Sequence, residues 1–236
     1  MAINKTPYRL SIIIPTLNEA NNIFNLLNNL TKNSSNKNIS EIIVVDGGST
    51  DKTKKIVSNY NNIILLTSEK GRAKQMNLGA KAATGNILYF LHADSFPPQK
   101  FDELIINEVQ KGNEAGCFRM QFDSSHWWLL LAGWLTKFNW RACRGGDQSQ
   151  FITKTLFNII GGFNERYIIY EDNILINELY ARNQFVVINK KLKTSARLYN
   201  KHGIWKIQYH FLIIHVKKWL GASADDIYLY YKKNIY

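Results

Sequence analysis

Between Leu10 and Asp94, three short apolar runs each end in a loop of turn-forming and polar residues. They are Ser11-Ile12-Ile13-Ile14-Pro15-Thr16-Leu17-Asn18-Glu19, Glu41-Ile42-Ile43-Val44-Val45-Asp46-Gly47-Gly48-Ser49-Thr50-Asp51 and Ile87-Leu88-Tyr89-Phe90-Leu91-His92-Ala93-Asp94. Short apolar runs bounded by turn residues, Ile- and Val-rich in the first two, are what strands buried on both faces of a parallel sheet look like. The loops after such strands open at the carboxyl edge of the sheet, where open α/β sheets bind ligands. Asp46, Asp51 and Asp94 are thereby expected on one edge. Acids grouped there, with no basic phosphate cradle beside them, point to base, ribose and metal contacts.

The segments between the runs have helical periodicity. A helix is predicted over Glu19 to Leu30, with Ile23, Leu26, Leu27 and Leu30 on one face and Asn18 at the N-cap. The Asn-rich stretch from Asn28 to Ser40 reads as a surface loop. Strand Ile42–Val45 leads through Gly47-Gly48 into a helix from Asp51 to Tyr60. Strand Ile63–Leu66 leads into Gly71 and a helix from about Arg72 to Ala83, which Gly85 closes before strand Ile87–Leu91. This βαβαβαβ order predicts an α/β sheet with right-handed crossovers. Pro97-Pro98 starts a helix to about Val109, and Gly116 to Phe122 is expected as a strand on the sheet's other side. His126 to Leu135 is Trp- and Leu-rich but too short to span a bilayer, and reads either as a core helix or as an interfacial one. From Thr194 onward the chain is mainly helical and aromatic.

With 236 residues, 45% apolar and 20% charged, the chain can bury a sizeable core as one domain. The net charge of +12 is uneven: from Asn189 to Tyr236 ten Lys or Arg face only Asp225 and Asp226. A basic tail is either a solvated face or a contact for an anionic membrane or a phosphorylated acceptor. No motif for nucleic-acid binding accompanies it, so nucleic acid is not expected as a partner. Cys117 and Cys143 have no CxxC pairing, which argues against a disulfide framework or zinc site and for a reducing cytosol. No signal peptide is visible, and no run of 18 apolar residues predicts a transmembrane helix.

Three motifs carry the chemistry. Asp46 follows a strand and precedes Gly47-Gly48, whose lack of side chains lets a ligand approach the backbone. Its carboxylate can accept from a base edge or a ribose hydroxyl, or merely cap the turn. Gly71-Arg72-Ala73-Lys74-Gln75-Met76-Asn77-Leu78-Gly79-Ala80 opens a helix whose first amides and Arg72 favour an anion. It is neither a P-loop nor a dinucleotide fingerprint. In His92-Ala93-Asp94, a strand-end carboxylate can hold Mg²⁺ or Mn²⁺ against a diphosphate. His92 is a second ligand or a packed histidine, and Asp94 is the better candidate.

The succession SIIIPTLNE, EIIVVDGGSTD, GRAKQMNLGA and ILYFLHADS resembles the family 2 glycosyltransferases with the GT-A fold. GRAKQMNLGA and FLHAD resemble, more narrowly, a bacterial subgroup described as radical-SAM/selenodomain-associated. The match continues through Gly146-Asp147-Gln148, Gly161-Gly162-Phe163, Glu171-Asp172 and Thr194-Ser195-Ala196-Arg197. The resemblance implies a GT-A-like (Rossmann-like), mostly parallel sheet flanked by helices, with a helical, basic C-terminal extension. It implies one glycosyltransferase domain over residues 1–236: a nucleotide-sugar half over about 8–122, an acceptor and catalytic half over about 123–200, and the extension over about 201–236. The implied reaction is inverting sugar transfer from a UDP- or GDP-sugar to a lipid-linked or small-molecule acceptor. Asp46 matches the base-contacting residue. Asp94 matches the last acid of the DxD motif and would bind a divalent metal, Mn²⁺ or Mg²⁺, although His92 replaces the first acid. Glu171-Asp172 matches the ED motif, with Asp172 as catalytic base. Pro15, Thr16, Asn18, Glu19, Gly47, Gly71, Arg72, Gln75, His92 and Ala93 are expected around the donor, and Asp147-Gln148 on the acceptor side.

Inverting transfer needs a base for the acceptor proton and a cation for the leaving diphosphate, which this set supplies. Glu171-Asp172 also suits the start of a helix running from Asn173 to Arg182, where acids oppose the macrodipole. A nucleotidyltransferase is a competing reading, but that class carries a Gly-rich basic loop after its first strand, and Pro15-Thr16-Leu17-Asn18-Glu19 is not such a loop. A non-catalytic nucleotide-sugar binder is another. Tryptophans at 127, 128, 134, 140, 205 and 219 beside lysines predict peripheral association with an anionic membrane, on the inner face of a plasma membrane for a cytoplasmic protein. Packing of both segments as core helices is the competing expectation.

Overall fold

The computed structural model describes residues 7–145 and 148–235. The opening runs form parallel strands: β1 (Leu10–Thr16), β2 (Ile39–Asp46), β3 (Ile63–Thr67) and β4 (Ile87–Phe90), in spatial order β3-β2-β1-β4. Their connections carry α1 (Ala20–Asn33), α2 (Thr53–Val57) and α3 (Arg72–Ala82). Side chains alternate across a strand, and both faces are dry. Ile12, Ile14, Val44 and Tyr89 pack with α1 and with α4 (Phe101–Gln110), whereas Ile13, Ile43, Val45 and Leu88 pack under α3. A Cβ at Gly79 would stand 2.5 Å from Cγ2 of Ile13, so glycine is what lets α3 lie this close to β1.

The sheet continues beyond β4 through β5 (Ser95–Phe96), β6 (Ala115–Phe122), β7 (Gln150–Thr153) and β8 (Val186–Thr194), in order β4-β7-β6-β8-β5. β7 runs antiparallel to β4 and β6, β6 and β8 are parallel, and β5 is antiparallel to β8. Between these strands lie α5 (Trp127–Leu135), α6 (Lys154–Ile160) and α7 (Glu171–Ala181). The tail is helical as expected, forming α8 (Arg197–His202), α9 (Ile204–Trp219) and α10 (Ala224–Asn234). Leu129 of α5, Tyr199 of α8, Ile207 and Ile214 of α9 and Ile227 of α10 bury together against Phe122 as a third core.

Several boundaries differ from the sequence reading, for local reasons. Asn18 is not the N-cap of α1. It sits in the left-handed region at φ 56°, and its Oδ1 accepts from the Thr50 amide at 2.9 Å. The first free amide of α1, on Ala20, donates instead to Asp51 Oδ2 at 3.1 Å. Asp51 also accepts from the Thr53 amide at 2.9 Å, and α2 is correspondingly only five residues long. Helix α1 runs three residues past Leu30, into the stretch read as loop. The Thr31 and Ser34 hydroxyls there donate to the carbonyls of Leu27 and Leu30. Pro97-Pro98 lies ahead of α4, which starts at Phe101 after Lys100 in the left-handed region at φ 57°. Strand β8 has no clear signal in the sequence because Asn189-Lys190-Lys191 interrupts its apolar alternation, and β7 is only four residues long.

Helices α5 and α9 pack by one edge and turn the other outward. On α5, Leu129 and Gly133 are buried while Trp127, Leu130, Leu131 and Trp134 are exposed. On α9, Trp205, Tyr209, Leu212, Val216 and Trp219 form an exposed stripe at alternating spacings of four and three residues. Among the described residues, no helix is long and apolar enough to cross a membrane.

Candidate active site

The ends of β1 and β2 form a tightly tied floor. Asp46 is fully buried, and its Oδ2 accepts from the amides of Gly48 at 3.0 Å and Ser49 at 2.9 Å. Its Oδ1 is also buried and has no hydrogen-bond partner among the described residues. A buried carboxylate oxygen without a donor is costly, and a ligand N–H or O–H would relieve that cost. Turn-capping thus uses one oxygen of the side chain and leaves the other without a donor. Gln75, from α3, directs Nε2 to the carbonyls of Thr16 at 2.9 Å and Val45 at 2.7 Å. It joins the two strand ends, beneath Gly47, where a Cβ would come within 2.9 Å of it. Pro15 pairs with Val45 in the same ladder, and Asn18 donates its amide to Ser49 Oγ at 2.9 Å.

The second group is assembled by the short β5–β8 ladder. Ser95 pairs with Thr194, and their hydroxyls lie 3.1 Å apart in a buried contact. The residue before Ser95 is Asp94, and three residues after Thr194 comes Arg197, so the ladder sets these two side by side. Arg197 Nε is 3.4 Å from Asp94 Oδ2. The same guanidinium makes a two-pronged pair with Glu19, its Nη1 donating to Oε2 at 2.9 Å. Arg197 thus links the loop after β1 to the loop after β4. Ala93 is buried beneath, and the His92 carbonyl accepts from the Ser95 amide at 3.0 Å, closing the turn.

The third group lies at the N-terminus of α7. Tyr170, at φ 72°, turns the chain so that Glu171 and Asp172 open the helix, both buried. Arg72, the first residue of α3 after Gly71, reaches them: its Nη1 is 3.4 Å from Glu171 Oε1 and 3.6 Å from Asp172 Oδ2. Asp172 and Arg72 also line an open cavity of about 450 Å³, together with residues of β6, α5, α7, α8, α9 and α10 and with Cys143, Arg144 and Gly145. Gln148, expected on the acceptor side, lines it as well. Its neighbours Gly146 and Asp147 lie outside the described residues.

The structure therefore brings the expected residues to one edge of the sheet as three groups: Asp46 with Gly47, Gln75 and Asn18; Asp94 with Glu19; and Glu171 and Asp172 with Arg72. Arg72 pairs with both carboxylates of its group and also lines the cavity. Arg197 stands in the sequence only as the end of a motif, with no role that its neighbours announce. Its link to Asp94 depends on the two-residue strand β5, which leaves no periodic trace in the sequence.

These features coincide with a known family. The glycosyl transferase family 2 model matches residues 11–164, and the chain belongs to that family. Among relatives, it is 36% identical over 105 residues to the glycosyltransferase AglE of Haloferax volcanii, covering 42% of this chain and 34% of that protein. It is 30% identical over 182 residues to a PGL/p-HBAD biosynthesis glycosyltransferase of Mycobacterium bovis, covering 69% of this chain and 66% of that protein. The chain thus spans about a third of the length of AglE, and the match to TarS of Staphylococcus aureus spans 16% of that protein. Solved structures share the fold. The mannosyltransferase PcManGT from Pyrobaculum calidifontis, in complex with GDP-Man and Mn²⁺, superposes with a TM-score of 0.69 at 19% identity, covering 92% of this chain and 66% of that one. TarS residues 1–349 in complex with UDP give 0.64 at 20% identity, covering 80% and 60%. The fold is that of the GT-A glycosyltransferases.

Proposed function

We propose that this chain transfers a sugar from a nucleoside-diphosphate sugar, a UDP- or GDP-sugar, to an acceptor hydroxyl with inversion at the anomeric carbon. The observation that carries this reading is the position of Asp172. It stands at the wall of a roomy cavity, beside Arg72 at 3.6 Å, on the same sheet edge as Asp46 and Asp94. In this reading residues of about 8–122 hold the donor, about 123–200 supply the base and acceptor side, and about 201–236 cover them.

Asp46 Oδ1, buried and lacking a donor, accepts from the nucleotide's base or ribose. Asp172 takes the acceptor's hydroxyl proton as that oxygen attacks the anomeric carbon. The bond from the anomeric carbon to the diphosphate breaks, and the nucleoside diphosphate departs with the electron pair. Arg72 and the amino end of α7 keep the carboxylate's negative charge in place, and Glu171 shares Arg72. Arg197, anchored on Glu19, is the cation that faces the diphosphate.

A divalent ion fits the residues present. Among the described residues, no three His, Cys, Asp or Glu side chains cluster as a complete metal cage. Mg²⁺ and Mn²⁺ at phosphate sites use one or two carboxylates with substrate oxygens and water completing the shell, and Asp94 offers one such carboxylate. When bound there, the ion would neutralise charge developing on the leaving diphosphate.

The exposed apolar stripes of α5 and α9 favour docking on an anionic membrane, where a lipid-linked acceptor resides. Neither helix contains an acidic residue, and α9 carries Lys206, Lys217 and Lys218. Lys137 Nζ lies 4.1 Å from the Trp134 ring centroid, the pairing of cation and aromatic that interfacial helices use. The narrower kinship to the radical-SAM/selenodomain-associated subgroup rests on GRAKQMNLGA and FLHAD.

The deciding experiment incubates the protein with UDP- and GDP-sugars and Mn²⁺, follows nucleoside diphosphate release, and reads the anomeric configuration of the first-formed product by NMR. Inverted product supports the reading; retained configuration, or no release from any donor, overturns it.

A further inference from the structure

Resting on that reading, we infer that Tyr170 and His215 are positioning residues for Asp172. Their hydrogen bond, from the turn that opens α7 to helix α9, fixes the direction in which the base enters the site.

The start of α7 needs a hold from outside the helix. Tyr170 is its N-cap, a place that Ser, Thr, Asp or Asn fills well and an aromatic does not. Among the described residues no side chain caps this end. The Tyr170 carbonyl accepts the first helical bond, from the Ile174 amide at 3.2 Å. Its backbone lies in the left-handed region at φ 72°, which a bulky side chain adopts only where its surroundings impose it. Asp172, two residues on, takes its direction from that turn.

The surroundings that impose it belong to α9. Tyr170 Oη lies 3.0 Å from His215 Nδ1, with the rings edge to face at 5.1 Å. Three residues along α9, Lys218 Nζ donates at 2.6 Å to the hydroxyl of Tyr167, three residues before Tyr170. The spacings match, so the two contacts form rungs between α9 and the segment that enters α7. The far end of that segment is held by α3, where the Asn77 side chain exchanges hydrogen bonds with the backbone of Phe163 at 2.9 and 3.0 Å. Burial holds the Tyr170 hydroxyl above its usual pKa, and burial with the nearby Arg141 guanidinium holds His215 below its own. Near neutral pH the phenol keeps its proton and the imidazole is uncharged, the states in which the hydroxyl donates to Nδ1. Tyr170, His215 and Asp172 all line the same cavity. A second pair of the same kind supplies a control. His210 Nδ1 is 2.8 Å from Tyr230 Oη, which ties α9 to α10, and neither residue lines the cavity.

The test compares kcat, donor KM and nucleoside-diphosphate affinity across variants. Tyr170→Phe and His215→Ala should each lower kcat about tenfold, the scale of a misplaced catalytic group. Donor KM and affinity should stay within about twofold, because the donor groups lie on other loops. The double variant should lose no more than either single one, as two ends of one contact do. His215→Asn, whose amide oxygen can stand where Nδ1 stood, should recover most of the loss. Tyr230→Phe should keep kcat near wild type even where it lowers Tm. Wild-type kcat in Tyr170→Phe and His215→Ala, or an equal loss in Tyr230→Phe, would overturn the inference. Crystal structures of the variants give a reading independent of turnover. In Tyr170→Phe and His215→Ala, Asp172 should leave its place beside Arg72, and in Tyr230→Phe it should keep it. An unmoved Asp172 in the first two would contradict the assignment. If wild-type protein cleaves no donor at all, the sugar-transfer reading fails, and the crystal structures still decide whether the pair sets Asp172 in place.

Discussion

Arg197 Nε stands 3.4 Å from Asp94 Oδ2. The pairing joins residues 103 positions apart, and it exists because β5 and β8 pair at Ser95 and Thr194. A cation already rests against the carboxylate to which the metal is assigned, and its second carboxylate partner, Glu19, lies on the loop after β1. Asp94 and Arg197 thus form one electrostatic unit, with Glu19 as its third member.

Metal-dependent donor binding is the first consequence. Asp94→Ala should weaken nucleoside-diphosphate binding about tenfold or more in Mn²⁺ and change it little in a chelator, a tenfold loss being about 1.4 kcal/mol. Arg197→Ala should weaken binding under both conditions. Calorimetric titrations giving the same affinity for wild type and Asp94→Ala in Mn²⁺ would remove Asp94 from the metal site.

Asp46 commits one oxygen to the loop and leaves the other buried without a donor, the oxygen proposed to meet the ligand. Asp46→Ala should therefore weaken the nucleoside diphosphate and the intact donor alike, by about 1.5–3 kcal/mol, the scale of a hydrogen bond to a charged group. Unchanged dissociation constants for both would reduce Asp46 to its hydrogen bonds with Gly48 and Ser49.

Gln75 is expected to act on stability. Gln75→Leu removes a donor from the buried carbonyls of Thr16 and Val45. The loss should be about 1–3 kcal/mol, read as a shift of the urea midpoint at constant slope. A midpoint within error of wild type would mean that the strand ends hold together without it.

Membrane docking is readable by co-sedimentation. The protein should pellet with anionic vesicles at low salt and be released at high salt, since screening shortens the reach of its lysines. Trp127→Ala combined with Trp219→Ala should reduce the pelleted fraction. Wild-type protein remaining in the supernatant at low salt would leave the two apolar stripes without this role.

The first half of the fold was legible because buried parallel strands and amphipathic helices leave periodic traces. Ile12 to Ile14, Ile42 to Val45 and the Ile23-Leu26-Leu27-Leu30 stripe all sit where the pattern puts them. Motif and spacing single out Asp46, Asp94 and Asp172 as candidates for the roles proposed for them. What stayed hidden depends on tertiary pairing. No local pattern announces the two residues of β5, the charged middle of β8, or the reach of Arg197 to Asp94 and of Arg72 to Asp172. Asn18 looked like a cap because Asn favours caps, yet it also tolerates the left-handed region, and the loop used that second property.

Asp172 as the acceptor's base is tested by Asp172→Asn, which preserves size while removing the carboxylate's capacity to take a proton. Two quantities are measured together: nucleoside diphosphate release from the cleaved donor in the presence of acceptor, and the dissociation constant of the free nucleoside diphosphate. A loss of about 10²- to 10⁴-fold in turnover, the range for a general base, with donor affinity within about twofold of wild type, is the expected result. Turnover that survives the substitution at unchanged affinity would contradict the assignment and leave Asp172 as a structural acid at the start of α7.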